Sequence, residues 1–513
     1  MTHRNKIIIN TIASYVKIII NAIAMIFTTR ILLERLGAID YGLFNLIAGT
    51  IAMMSFLNGA LMVSGQRFYS IALGKKDYFL LNKYFNNSVF IHIIISIFTI
   101  LILLLLIPIL FNGFLDIEES KREIAIIIYI IMTISSALTL FGIPYSAMMN
   151  AYEDIGILAI FNIIQILLQL IGAIFLIYIN NYLLLIYTMF TFTSILVRVL
   201  CETSWVNLHY KHIKHRGIAL FDKIIFRQIF KFAGWNTLGS VAILIRSQGV
   251  AIVLNIFFGT IINATYGIAN QVNSLVLAFS ASLTTVFTPS IIQAHGADDN
   301  NKMRFLSIFT SKLSFYLSSI MAIPLIIYTQ EILCIWLEQI PKFTVSFCLL
   351  IIICFLIQMI YPGLNRAIYA CGKIKNYQIW MSLYFILILP LGIILFQYIT
   401  NPTYIIYLMI LSQLAVMAVT IHYAHKYCGI DKGNYYKCIV CPSFILVIAT
   451  VFIGLSLKSF IPTTLPLIIG ISSIIIAIYT FFYYNILFSK VEKETINILF
   501  RNIINKVNDK KNY

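Results

Sequence analysis

Lys17 and Arg246 each sit in the middle of a long apolar run with no acid close by in sequence. Lys17 interrupts Ile7–Leu33, and Arg246 interrupts Phe230–Phe258. A cation at mid-membrane costs at least ~2.5–3.5 kcal/mol on insertion-type scales. It is tolerated where it faces a bundle interior, a wet cavity or an anion. Two such charges, in corresponding places in two halves of a chain, point to a transport path for something negatively charged.

Other residues could join that chemistry. Arg198 lies in an apolar run with Glu202 four residues on, a spacing at which the two can neutralise each other. Lys312 stands about two turns from a run's end. Arg30 and Arg366 are nearer run ends, where snorkelling is the default, and Arg67 reads as a loop anchor. Asn162, Gln165 and Gln169 share one helix face by i,i+3 and i,i+4 spacing, and Asn270, Gln271 and Asn273 cluster on another run. Amides inside a membrane either meet sugar hydroxyls or join helices. His92 reads as a helix-packing residue. His422, His425, Cys428, Cys438 and Cys441 have the letters of a zinc site. They straddle the ends of apolar runs, so helix packing is the expected role.

These residues need a membrane scaffold. The chain is 60% hydrophobic and 11% charged, with a mean hydropathy of +0.93. No soluble domain has that composition. Apolar stretches long enough to span recur from end to end, and they are continuous rather than alternating. The expected class is an all-α polytopic membrane protein, not an outer-membrane barrel. About fourteen spans are expected, near 7–33, 40–64, 87–111, 123–149, 157–178, 182–205, 230–258, 264–291, 305–330, 343–370, 378–398, 402–424, 439–459 and 464–487. Pro108, Pro144, Pro289, Pro324, Pro362 and Pro390 fall in or near them. The eight cysteines are scattered and suggest no disulfide framework.

The net charge of +17 is carried largely by alternate loops, so it reads as orientation in the membrane rather than nucleic-acid binding. The basic set includes Lys75/Lys76/Lys83, Lys211/Lys214/Arg216/Lys223/Arg227 and Lys426/Lys432/Lys437; the other set includes Asp116/Glu118/Glu119 and Glu331/Glu338. This places both termini in the cytoplasm. The first apolar run, with no A-x-A-like site after it, reads as a retained helix. The tail Ser489–Tyr513 reads as an amphipathic cytoplasmic cap.

The halves repeat. Leu36-Gly37 recurs as Phe258-Gly259, Gly74 as Gly296 and Asp77 as Asp299, each 222 residues apart (259−37, 296−74, 299−77). An offset of six spans preserves orientation, so the repeats are parallel. The expected organisation is a lobe at 1–228, a second at 229–428, two extra helices at 429–488 and a tail at 489–513. On this offset Arg246 corresponds to Ala24, seven residues and roughly 10 Å beyond Lys17 on nearly the same face. One cation per lobe at staggered depth would make a two-step ladder for an anion.

The stretch Arg30–Phe44 (RILLERLGAIDYGLF) resembles the polysaccharide (O-antigen type) flippases of the multidrug/oligosaccharidyl-lipid/polysaccharide exporter superfamily. Gln66–Ser70 (QRFYS) and Leu73–Asp77 (LGKKD) fit the same family. The resemblance implies two six-helix lobes around a cavity that opens alternately to each side. It implies transport of undecaprenyl-diphosphate-linked oligosaccharide from the inner to the outer leaflet of a bacterial inner membrane. Family cavities are cationic, and Lys17 and Arg246 match that property by character. The implied partners are the lipid-linked oligosaccharide, membrane lipids, and polysaccharide polymerase and chain-length machinery. No nucleic acid and no cofactor are expected; coupling to H⁺ or Na⁺ is left open.

Three further readings compete. A lipid II flippase shares the fold, and fourteen spans suit it. A cation-coupled multidrug exporter needs an embedded Asp or Glu, and the runs carry none at their centres. An enzyme would need a sizeable outer loop, and the longest here are about a dozen residues. Phosphate-loop, H-E-x-x-H and G-x-S-x-G signatures are absent.

Overall fold

The computed structural model describes residues 3–52, 55–111, 119–213, 221–337, 340–460 and 464–497. Asp116, Glu118, Lys214, Arg216, Glu338 and the tail from residue 498 lie outside them. Helix dominates, and no strand occurs among the described residues. In a bilayer a helix satisfies its own backbone, and apolar runs of this length leave no alternative.

The helices are α1 (His3–Ala52, broken at Gly37), α2 (Ser55–Gly74), α3 (Tyr78–Ile109), α4 (Glu119–Ala151), α5 (Ile155–Phe175), α6 (Leu183–His209) and α7 (Lys223–Gly296, broken at Gly259). There follow α8 (Asn300–Ile327), α9 (Thr329–Trp336), α10 (Thr344–Met359), α11 (Pro362–Cys371), α12 (Lys375–Ile386), α13 (Ile388–Phe396), α14 (Tyr404–Cys428), α15 (Lys432–Tyr435), α16 (Cys441–Phe460) and α17 (Leu465–Leu487). Among the described residues eleven helices are long and apolar enough to cross a membrane, and thirteen spans result if two bent pairs each count as one.

One expectation changes. The second span runs on to Gly74, so Arg67 is a helical residue rather than a loop anchor. Its guanidinium lies 4.8 Å from the centroids of both Phe68 and Phe232, contacts that favour burying its stem against the helix. Four prolines sit inside helices without ending them: Pro108, Pro144, Pro289 and Pro324. Pro362 instead starts α11 at a 44° bend, and Pro390 follows the break between α12 and α13. Pro390 has no N–H for the carbonyl of Ile386, the last residue of α12.

The chain divides into two compact units, Ile9–Thr237 and a second beginning at Leu238, so the division falls within α7. In the first unit, Ile47, Ile128, Tyr129 and Leu176 belong to one buried apolar cluster. The Ser96 hydroxyl donates to the Ala137 carbonyl at 3.0 Å and Tyr129 to Leu103 at 3.0 Å, locking α3 to α4. In the second unit, Val250, Leu254, Phe347, Ile405 and Ile406 form the corresponding cluster. There α11 meets α8 so closely that a Cβ on Gly363 would lie 1.9 Å from the Ser307 carbonyl. The helices α16 and α17 belong to this unit and pack on α8.

The repeat extends to single hydrogen bonds. Asp77 caps α3 by accepting from the Leu80 amide at 2.9 Å, and Asp299 caps α8 by accepting from the Lys302 amide at 3.0 Å. The residues before them, Lys76 and Asp298, are both left-handed at φ 56° and 57°.

Candidate functional site

In the first unit Lys17 is placed by Asn10, seven residues earlier on α1. The Asn10 amide donates to the Glu153 carbonyl at 2.7 Å, and its Oδ1 accepts from the Gly156 amide at 2.8 Å. This fixes the base of α1 against the turn that opens α5. Tyr210 braces the same turn: its hydroxyl donates to Asp154 at 2.6 Å and its ring stacks on Tyr152 at 4.0 Å. Burial and the neighbouring carboxylate push the Tyr210 hydroxyl well up, so it keeps the proton it donates. Lys17 then stands roughly 10 Å along α1 from Asn10, and Gln165 roughly 13 Å along α5 from Gly156. The cation and the amide face of α5 are thus at similar depth in one unit.

Lys17 is half-buried and has no hydrogen bond or ion pair among the described residues. The amides divide. Asn162 bonds back to the Leu158 carbonyl at 2.6 Å, and Gln169 reaches Ser194 at 3.2 Å, joining α5 to α6. Gln165 has no partner among the described residues. Arg198 meets Glu202 at 3.5 Å; that carboxylate is 1% exposed and also accepts from Ser146. The pair neutralises itself.

In the second unit Arg246 is half-buried and has no carboxylate partner among the described residues. Its Nη1 donates to Gln413 Oε1 at 3.0 Å, and its guanidinium sits 4.4 Å from the Phe385 centroid. Gln413 in turn donates to the Tyr361 hydroxyl, which stands at the bend preceding Pro362. Arg246 Nε is buried with no partner. A hydrogen bond to a charged donor contributes about 1.5–3 kcal/mol and a partly desolvated cation–π contact ~0.5–2. Together these offset a cost of insertion near 3 kcal/mol while leaving the charge intact. Gln413, Tyr361 and Phe385 are not among the candidates read from the sequence. Gln413 carried the available signal, a lone amide deep in an apolar run.

The remaining candidates fall elsewhere. Lys312 is held by Glu492 at 2.8 and 3.0 Å and by the Leu487 carbonyl at 2.8 Å, in a buried ion pair between α8 and the start of the tail. Asn270 bonds back to Tyr266 at 3.1 Å, Gln271 is exposed, and Asn273 Oδ1 is buried without a partner. Arg366 lies over Tyr369 at 5.8 Å, with its Nε unpartnered. Arg30 is exposed. His92 turns Nδ1 to the Ser88 carbonyl at 2.6 Å, and its Nε2 is buried without a partner. His425 turns to the Ile430 carbonyl at 3.0 Å, while Cys428 Sγ lies 3.4 Å from Cys371. Among the described residues the structure thus sorts the cations: Arg198 and Lys312 carry their own carboxylates, whereas Lys17 and Arg246 do not.

No protein-family profile and no curated protein matches the chain. Solved structures do. An outward-facing multidrug resistance MATE family transporter of the MOP superfamily superposes with TM-score 0.72 at 11% identity, covering 83% of this chain and 96% of that one. A MOP superfamily transporter from Pyrococcus furiosus, described as having a binding pocket of reversed polarity that suggests a different function, gives TM-score 0.68 at 12% identity over 83% and 96%. A point-mutant MATE gives TM-score 0.72 at 13% identity over 85% and 97%. These neighbours are transporters, not enzymes. The chain is a helical membrane protein with the fold of the MATE transporters of the MOP superfamily.

Proposed function

We propose that this protein is a flippase that moves a polyprenyl-diphosphate-linked oligosaccharide across a bacterial cytoplasmic membrane by alternating access, with both termini in the cytoplasm. The observation that carries this reading is that two membrane-embedded cations, Lys17 and Arg246, have no carboxylate partner among the described residues. Two embedded cations on other helices, Arg198 on α6 and Lys312 on α8, are each paired with a carboxylate, which is how a purely structural charge is neutralised. A diphosphate is the part of such a substrate that stays constant while the glycan varies. Lys17 and Arg246 attract it, and the half-buried Gln165 and the exposed Gln271 offer hydrogen bonds to the sugars. The lipid tail stays in the bilayer.

A multidrug exporter is the second reading, favoured by the name of one structural neighbour. Cationic drugs call for an embedded carboxylate. Glu202 is the embedded acid with most cover here, and it is spent on Arg198 and Ser146.

The test is flipping of fluorescent undecaprenyl-diphosphate oligosaccharide in proteoliposomes, with Lys17→Ala and Arg246→Ala beside the wild type. Transport lost in both variants at normal folding supports the reading. Export of an organic cation, with no transport of any lipid-linked saccharide, overturns it.

A further inference from the structure

A polar pocket lies in the first unit, at the end away from Asn10. It has a volume of about 510 Å³ and is lined by Asp40, Lys121, Asn180, Asn181, Tyr182 and apolar side chains that include Leu43 and Ile124. That volume is within the range of small-ligand sites. We infer that this pocket binds a neutral saccharide.

The lining argues for that ligand over an ion. Asp40 and Lys121 bond to each other across the wall, so the one carboxylate and the one ammonium among the lining residues cancel. What remains to recognise a ligand is two carboxamides and a ring. Asn180 and Asn181 are both exposed, and each amide can donate and accept, the pairing that vicinal hydroxyls require. Tyr182 is 71% exposed and offers an apolar face with a polar edge, suited to stacking on a sugar ring.

The pocket is also built. Arg35 donates to the Leu176 carbonyl at 3.0 Å, to the Ile179 carbonyl at 2.8 Å and to Asn180 Oδ1 at 3.1 Å, so it fixes the α5–α6 turn and aims one amide. Tyr182 is left-handed at φ 56°, a backbone state that a bulky residue rarely adopts and that clusters at ligand clamps. The repeat lacks the charged pair and the arginine, which becomes Phe257. At an offset of 222, Asp40 becomes Ile262 and Lys121 becomes Phe343, and both pack on the apolar cluster of the second unit. An ion pair in one copy, where the other has two apolar side chains, is a departure from the shared scaffold, although Tyr182 has a tyrosine counterpart in Tyr404.

This inference takes the saccharide from the flippase reading, but its test needs neither the lipid carrier nor transport. The probe is a panel of lipid-free, neutral tri- to pentasaccharides of hexose and N-acetylhexosamine. Binding to the full chain in nanodiscs is read by saturation-transfer NMR. The expected result is saturable binding by wild type, weakened at least tenfold by Asn181→Ala and by Tyr182→Ala. Tyr182→Phe keeps the ring and should retain binding. Lys17→Ala should bind the saccharide like wild type even where flipping is lost, which separates failure of this pocket from failure of the flippase reading. Absence of binding by every member of the panel, or binding indifferent to both alanine variants, overturns the inference.

Discussion

Gly37 and Gly259, 222 residues apart, break their helices in nearly the same backbone state: φ 74°, ψ 170° and φ 79°, ψ −176°. That region of conformational space is essentially open to glycine alone. The two breaks are therefore set by residue type, and they separate the first two spans of each repeat at the same step.

The first prediction follows from this. Gly37→Ala and Gly259→Ala should each cost about 1–3 kcal/mol, since only the backbone opposes them. A Cβ at either site would meet nothing within 4 Å. Gly42 is helical and equally open, so Gly42→Ala should be neutral or stabilise by up to about 1 kcal/mol. Thermal unfolding in detergent measures all three; a Gly37→Ala protein as stable as Gly42→Ala would refute the strain argument.

The charge of Arg246 is left uncompensated because its hydrogen-bond partner is an amide. Gln413→Glu replaces that amide with a carboxylate of almost the same shape, 3.0 Å from the guanidinium. Folding should be unharmed, and transport of a diphosphate-linked lipid should fall at least ~10-fold, equivalent to about 1.4 kcal/mol of lost attraction. Undiminished transport in this variant would remove Arg246 from the anion path.

Arg198 has the opposite role. Its partner Glu202 is 1% exposed, so Arg198→Met strands a buried carboxylate and should cost about 3–5 kcal/mol. The double variant Arg198→Met/Glu202→Gln should recover most of that loss. A double-mutant cycle by thermal unfolding checks this; purely additive effects would mean the pair is not coupled.

Asp222 lies outside the spans and opens α7. It accepts from the Ile224 amide at 2.9 Å and the Ile225 amide at 3.3 Å, and pairs with Lys83 at 3.5 Å. These amides, then Lys83, hold its carboxyl below the ordinary 3.8. A depressed folded-state value stabilises the fold above the ordinary carboxylate range, and the benefit disappears as pH falls through the lowered value. Wild type should therefore lose more stability than Asp222→Asn between about pH 5 and pH 2. Parallel melting curves for the two proteins would contradict it.

The scaffold was legible before any coordinates because its causes are local. Runs of twenty or more apolar residues have to be helices in lipid. Gly37, Asp77 and their counterparts at 259 and 299 announced the repeat because a glycine-only backbone state and an N-cap are each set by one residue. Lys17 and Arg246 were visible as embedded cations for the same reason: the cost of a charge in hydrocarbon is a property of the run around it.

Which of the embedded charges stays uncompensated depended on contacts between residues far apart in sequence. Lys312 and Lys17 look alike along the chain, yet Lys312 meets Glu492, 180 residues away. Arg246 is oriented by Gln413, 167 residues on, and Asn180 by Arg35, 145 residues before it. Helical periodicity says which face a side chain occupies. Packing decides which helix that face meets, and only that meeting determines whether a charge is cancelled, held in place or left open to a ligand.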